Sequence, residues 1–206
     1  MENDKWTKIP DKDVIEKTIA ALKEGGINAY FAENEEEARK KVFEIVPQGA
    51  EIMNMTSVTL DGLGISNEIL KSERYNAVKN KLNKMDRKMQ GREIERLGAA
   101  PEYAIGSVHA VTEDGKILIA SATGSQLPAY AYGAEHVIFV VGAQKIVKNI
   151  DEAMKRIYEH SLLLESERAK KAYGVEGSSV NKILIVNKEF KEGRIDLIFV
   201  NKVLGF

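Results

Sequence analysis

The segment from Gly106 to Lys145 constrains the fold more than any other part of the chain. It holds the clearest hairpin, the densest Ser/Thr/Gly loop and the most apolar strand. Ser107 to Thr112 and Lys116 to Ser121 are two short runs rich in β-branched residues, separated by Glu113-Asp114-Gly115. Asp-Gly supplies the positive φ that a tight turn demands, so the two runs predict an antiparallel hairpin. Glu113 and Asp114 are then turn residues rather than catalytic carboxylates. Ile117 to Ala120 is apolar without a break, which predicts a strand covered on both faces. That strand opens into Ser121-Ala122-Thr123-Gly124-Ser125-Gln126. A loop of hydroxyls and glycine leaving a buried strand is a place where backbone N–H groups converge on an anionic or carbonyl ligand. Ser121, Thr123, Gly124, Ser125 and Gln126 are therefore candidate ligand contacts, with Gly106 at the head of the same segment.

Upstream, Asp11 to Glu24 has the spacing of an amphipathic helix, with Val14, Ile15, Thr18, Ile19 and Leu22 on one face and Gly25-Gly26 at its end. Ile27 to Ala32 predicts a strand. Asn34 caps a second helix, with Glu37 three residues on, and Pro47 and Gly49 stop it. Ala50 to Met55 predicts the next strand. Helix, strand, helix, strand at this spacing argues for an open α/β sheet. Loops at the carboxyl ends of such strands are the usual ligand sites, which makes Thr56, Ser57 and Thr59 candidates. The same hydroxyls serve equally well as caps of the helix that follows, and the two roles are compatible. Gly62 to Lys71 predicts one short helix.

Between Lys71 and Arg96 basic residues outnumber acidic ones nine to four. Aromatic interleaving is nearly absent, so a solvated helical excursion at about 71–98 is the better reading than a nucleic-acid surface. Met85 and Met89 at helical spacing predict packing. After the hydroxyl loop, a short helix or turn starts at Pro128. His136 to Val141 predicts a central strand, with His136 structural at its start. Gly142 at the other end permits close backbone approach. Lys145 there would neutralise a phosphate or carboxylate, although a lysine in such a loop is more often an ordinary surface residue. Asn149 to about Tyr173 predicts one long helix, with His160 in the core or an interface and an apolar face that would suit a homodimer or equally cover the sheet. Lys182 to Asn187 and Ile195 to Val200 predict the last two strands. Residues 1–10 read as a lead-in, Trp6 as a packing residue, and Phe206 as docked.

Composition removes several chemistries. Among 206 residues there is no Cys and only three His, at unrelated spacings, so thiolate metal sites, disulfides and Cys nucleophiles are excluded and a structural zinc is not expected. A formal net charge of −1 gives no general affinity for nucleic acid or membranes. No run reaches the length of a membrane span, and the charged start lacks an apolar signal core, so a cytoplasmic setting is expected.

The runs Gly106-Ser-Val-His-Ala-Val-Thr-Glu-Asp-Gly, Ile119-Ala-Ser-Ala-Thr-Gly-Ser-Gln-Leu, Gly133-Ala-Glu-His-Val-Ile-Phe-Val-Val-Gly-Ala-Gln-Lys-Ile-Val and Gly193-Arg-Ile-Asp-Leu-Ile-Phe-Val-Asn-Lys-Val-Leu-Gly-Phe resemble the LUD domain family, the lactate-utilisation protein C type included. The resemblance implies a single α/β domain over 1–206. Its fold would be similar to CoA transferases, ribose-phosphate isomerases and glucosamine-phosphate deaminases. That means a three-layer α/β/α sandwich with a mostly parallel central sheet, here containing an antiparallel hairpin. It further implies a role in L-lactate oxidation beside iron–sulfur or flavin partner subunits. With no Cys here, iron–sulfur clusters would belong to a partner, and no cofactor is expected in this chain. Larger members tend to carry an acidic residue in an Ala-x-Glu-Thr-Gly-Thr-like loop, where this chain has Ala122, which weakens acid/base catalysis from that loop. Two readings follow. One is a non-redox accessory or binding component for a small anionic metabolite. The other is a stand-alone enzyme on a phosphorylated or CoA-linked substrate, with Glu135, Asp61 or Glu102 supplying a carboxylate.

Overall fold

The computed structural model describes residues 5–206, so the lead-in is seen from Lys5 onward and residues 1–4 lie outside the described residues. Six strands form a parallel central sheet: β1 (Asn28–Ala32), β2 (Glu51–Asn54), β3 (Asn76–Ala77), β4 (Tyr103–Gly106), β7 (His136–Gly142) and β10 (Ile195–Val200), in the order β1-β10-β7-β4-β2-β3. Strand alternation sorts the core onto two faces. Val137, Phe139 and Val141 of β7 and Ile195, Leu197 and Phe199 of β10 point to one side. Ile138, Val140, Ile198 and Val200 point to the other, where α2 (Glu35–Ile45), α3 (Val58–Gly62) and α4 (Ile65–Lys71) cover them through Ala38, Val42, Leu60, Ile65 and Ile69.

The opposite face is covered by α1 (Lys12–Glu24) and, unlike the expected arrangement, by a second sheet. The hairpin is not part of the central sheet. Its strands β5 (Ala110–Thr112) and β6 (Ile117–Ser121) join β8 (Ile146–Val147) and β9 (Lys182–Val186) in the order β8-β5-β6-β9. The uninterrupted apolar run of β6 explains this placement. Ile117 and Ile119 pack toward the central sheet, while Leu118 and Ala120 face a third cluster with Trp6, Val147, Ala153 and Ile157. Both faces need cover, and α7 (Ile150–Arg156) supplies the outer one. The Asp-Gly turn forms as expected, with Gly115 at φ +86 and its N–H donated to the Thr112 carbonyl at 2.8 Å.

Asn34 caps α2 by accepting from the Glu37 N–H at 2.9 Å. The helix expected over 62–71 forms from Ile65 to Lys71, entered through Gly64 at φ +69, and the separate short helix α3 precedes it in the stretch read as a loop. The basic stretch holds α5 (Val78–Leu82) and α6 (Arg87–Ala99), but also strand β3, which closes the edge of the central sheet beside β2. Met89 does not pack as its spacing suggested: it is 82% exposed on α6. The long helix continues from α7 through a π-helical turn, Ile157–Ser161, into α8 (Leu162–Tyr173). Among the described residues no helix is long and apolar enough to cross a membrane.

Candidate anion-binding site between the two sheets

A cavity of about 360 Å³ opens between the two sheets. Its wall is built where strands end. The segment after β2 brings Thr56, Ser57 and Thr59, and the one after β4 brings Ser107, Val108 and His109. The loop after β6 brings Ser121, Thr123, Ser125 and Gln126, and the turn after β7 brings Lys145. The parallel strands β2, β4 and β7 aim their carboxyl ends at one rim, and the loop after β6, a strand of the second sheet, comes to face that rim. Ser57 and Ser125 thus face one space.

Three of the glycines singled out in the sequence do not line that wall, and each has a structural task. A Cβ on Gly106 would collide with the Tyr130 hydroxyl, and Tyr130 does line the cavity. Gly142 sits against the returning chain, 2.8 Å from the Leu204 nitrogen and the Lys202 oxygen as seen from an added Cβ. Gly124 takes φ +86 beneath the stem of Lys182.

The hydroxyl loop is held from within. Ser121 Oγ accepts the Gly124 N–H at 2.8 Å and donates to Gln126 Oε1 at 3.0 Å. The Lys182 ammonium and the Asn181 amide bind the carbonyls of Thr123 and Ala122. Ser57 takes the capping role, its Oγ accepting the Leu60 N–H at 3.4 Å, whereas Thr59 caps nothing and donates its Oγ1 hydrogen to the Leu204 carbonyl at 3.4 Å.

Lys145 is not a surface residue. It is 1% exposed, and its Nζ donates to the Val108 carbonyl at 3.0 Å, Ser107 Oγ at 3.2 Å and Thr59 Oγ1 at 3.4 Å. All three partners are neutral oxygens. Burial, aided by the charge of Arg156, holds its amine well below the usual lysine range. Arg156, the last residue of α7, is also fully buried. Its Nη1 donates to the His109 carbonyl at 2.6 Å and Ser161 Oγ at 3.1 Å, while Nε and Nη2 have no partner. Neither cation has a carboxylate partner among the ion pairs of the described residues. His109 stays neutral: burial, then the charges of Lys145 and Arg156, push it down to about 3, and its Nδ1 accepts the Ala120 N–H at 3.1 Å.

The rest of the wall was not visible in the sequence. Tyr130 comes from the π-helical turn Ala129–Gly133, and Ile157, Ser161 and Leu162 come from the second π turn or directly follow it. Glu165 and Arg168 line the mouth as a bidentate pair at 2.7 Å for both contacts. Lys79 adds a further cation, and Phe206 docks at the edge as expected. The lining therefore carries Lys79, Lys145 and Arg168 against Glu165 alone, with Arg156 behind it. The one available signal was Arg156, an arginine set within the apolar stripe of Ala153, Ile157 and His160.

The carboxylates held as alternatives sit elsewhere. Glu135, Asp61 and Glu102 are absent from the wall, and Glu102 accepts the Glu51 N–H at 3.0 Å. No group of three or more His, Cys, Asp or Glu among the described residues is arranged to hold a metal ion.

The fold is similar to that of a solved DUF162 family protein from Deinococcus radiodurans, with a TM-score of 0.56 and 10% sequence identity over 93% of this chain and 100% of that one. No protein with a curated description matches the chain. The LUD domain family model matches residues 15–201, nearly the whole of the described chain. The chain belongs to the LUD domain family.

Proposed function

We propose that the chain is a non-redox binding component of organic-acid metabolism, in a lactate-utilisation setting, that holds a small organic anion between its two sheets. The observation that carries this reading is the pair of buried basic groups, Lys145 and Arg156, with no buried acid to answer them. An uncompensated buried cation is costly, and an anion in the adjoining cavity removes that cost. The hydroxyls of Thr56, Ser57 and Ser125 offer further donors. A cavity of about 360 Å³ lies at the lower end of the range for small-molecule sites. Electron transfer would fall to partner subunits bearing iron–sulfur clusters or flavin, since this chain has no Cys to ligate a cluster.

The other reading, an enzyme acting on a phosphorylated or CoA-linked substrate, needs a carboxylate free to move a proton. The carboxylate at the wall, Glu165, is clamped by Arg168. The binding reading is therefore preferred.

Thermal shift and calorimetry against L-lactate, pyruvate, inorganic phosphate and CoA esters test the proposal. Carboxylates are expected to stabilise the wild type, by about 2.7 kcal/mol at a hundredfold excess over Kd, and much less in Arg156→Met, which removes the guanidinium whose Nε and Nη2 have no partner. Silence from every carboxylate, or equal shifts in the variant, would overturn it. A response confined to phosphate or CoA esters would favour the enzyme reading. Co-purification from the native host on lactate tests the partnership, and failure to recover an oxidoreductase would remove it.

A further inference from the structure

We propose that Lys145 is an imine-forming amine, which condenses reversibly with the carbonyl group of an oxo acid lodged in the cavity between the sheets. The inference rests on the anion-binding reading above and adds the substrate class: an acid with a ketone or aldehyde carbon beside the charge.

Geometry carries it. Lys145 ends the 3₁₀ turn Ala143–Lys145, between β7 and β8, and its stem is packed so that the amine is presented at one place in the wall. A lysine kept as a charged anchor is ordinarily paired with a carboxylate or left in water. This one has neither, only a carbonyl and two hydroxyls, and Arg156 as a neighbouring cation. Burial beside a second positive charge is the environment that frees a lysine lone pair for attack. Arg156, with Nε and Nη2 unpartnered behind the wall, and Lys79 in the lining supply the charge for the acid group, so Lys145 need not.

The step balances without any further reactant. The Nζ lone pair attacks the carbonyl carbon, a C–N bond forms, and the carbonyl oxygen takes a proton to give a carbinolamine. A second proton converts that hydroxyl to water, which leaves as the C=N bond forms. Both hydrogens of the amine end in the water released. Ser107 Oγ and Thr59 Oγ1, at 3.2 and 3.4 Å from Nζ, stand where protons must pass between nitrogen and oxygen.

The test uses the whole chain with pyruvate, with dihydroxyacetone as an uncharged carbonyl and with L-lactate as the hydroxy-acid control, each followed by borohydride. Intact mass and peptide mapping read the product. Pyruvate should leave a reduced adduct on the peptide bearing Lys145, exceeding that on any other lysine, Lys79 included, by at least about tenfold. Lactate should leave none, and Lys145→Met and Lys145→Arg should lose the adduct. An absent adduct, or one spread evenly over lysines and unchanged in the variants, overturns the proposal. Thermal shift without borohydride separates the two claims. Stabilisation by pyruvate and lactate with no adduct removes the imine and leaves anion binding, and no stabilisation and no adduct removes both.

Discussion

Raising the pH should stabilise the wild type relative to Lys145→Met. Native Lys145 holds its proton less tightly than a lysine in the unfolded chain, whose ordinary value is 10.5. Between the depressed native value and 10.5 the unfolded state therefore binds more protons, so stability rises with pH through that window and levels off above it. One proton contributes up to about 1.4 kcal/mol per pH unit, so on the alkaline side, up to the unfolded value of 10.5, the wild type should gain on the variant with a slope no steeper than that. Met keeps the length of the side chain and removes the titrating group, so the other ionisable groups cancel in the difference. Urea denaturation of both proteins at several pH values measures it, with equal m-values as the check that unfolding exposes the same surface. A flat or falling difference would show that native Lys145 is an ordinary ammonium and would refute the account of its buried, uncompensated environment.

Gly106→Ala drives a methyl group into the Tyr130 hydroxyl and should cost about 1–3 kcal/mol, part of which Tyr130→Phe recovers when the two are combined. Arg194, buried, binds Glu189 at 2.7 Å and the carbonyls of Tyr130, Ala134 and Ala131, so Arg194→Met should lower stability by about 3–5 kcal/mol and Glu189→Gln by less, read as chemical denaturation midpoints. His109, pushed down to about 3 by burial, takes up a proton in the unfolded chain but not in the native one as pH falls below 6.5. Stability should then drop by up to about 1.4 kcal/mol per pH unit from this residue alone, and a non-titrating His109→Gln should not share that slope between about pH 6 and 4.

Local chemistry was readable where a few neighbouring residues decide the outcome. Asp114-Gly115 makes its turn, Asn34 with Glu37 makes its cap, and Gly25-Gly26 ends its helix, because each of these forms within one or two turns of chain. The hydroxyl clusters at 56–59 and 121–126 line one cavity, yet they do not share the rim of one parallel sheet: β6 belongs to the second sheet and runs antiparallel to β5 and β9. Met89 was misjudged because helical spacing says which residues share a face, not whether anything covers it. Arg156 is buried although its charge by itself suggests the surface.

The residues by themselves determined that this chain alternates helices and strands, that β6 must be covered on both sides, and that small hydroxylated loops leave the strand ends. Periodicity and turn chemistry act over a few residues, so they are written in the order of the chain. Which sheet receives the hairpin was settled only by pairing across long separations, β5 with β8 and β6 with β9. The character of Lys145 was settled in the same way. Gly142-Ala-Gln-Lys145 has the look of a solvated loop, and the amine is buried because Thr59, Ser107 and Val108, from other strand ends, close around it while Leu204 and Gly205 return against that turn. Desolvation depends on what surrounds a group in space, and no short stretch of sequence contains that.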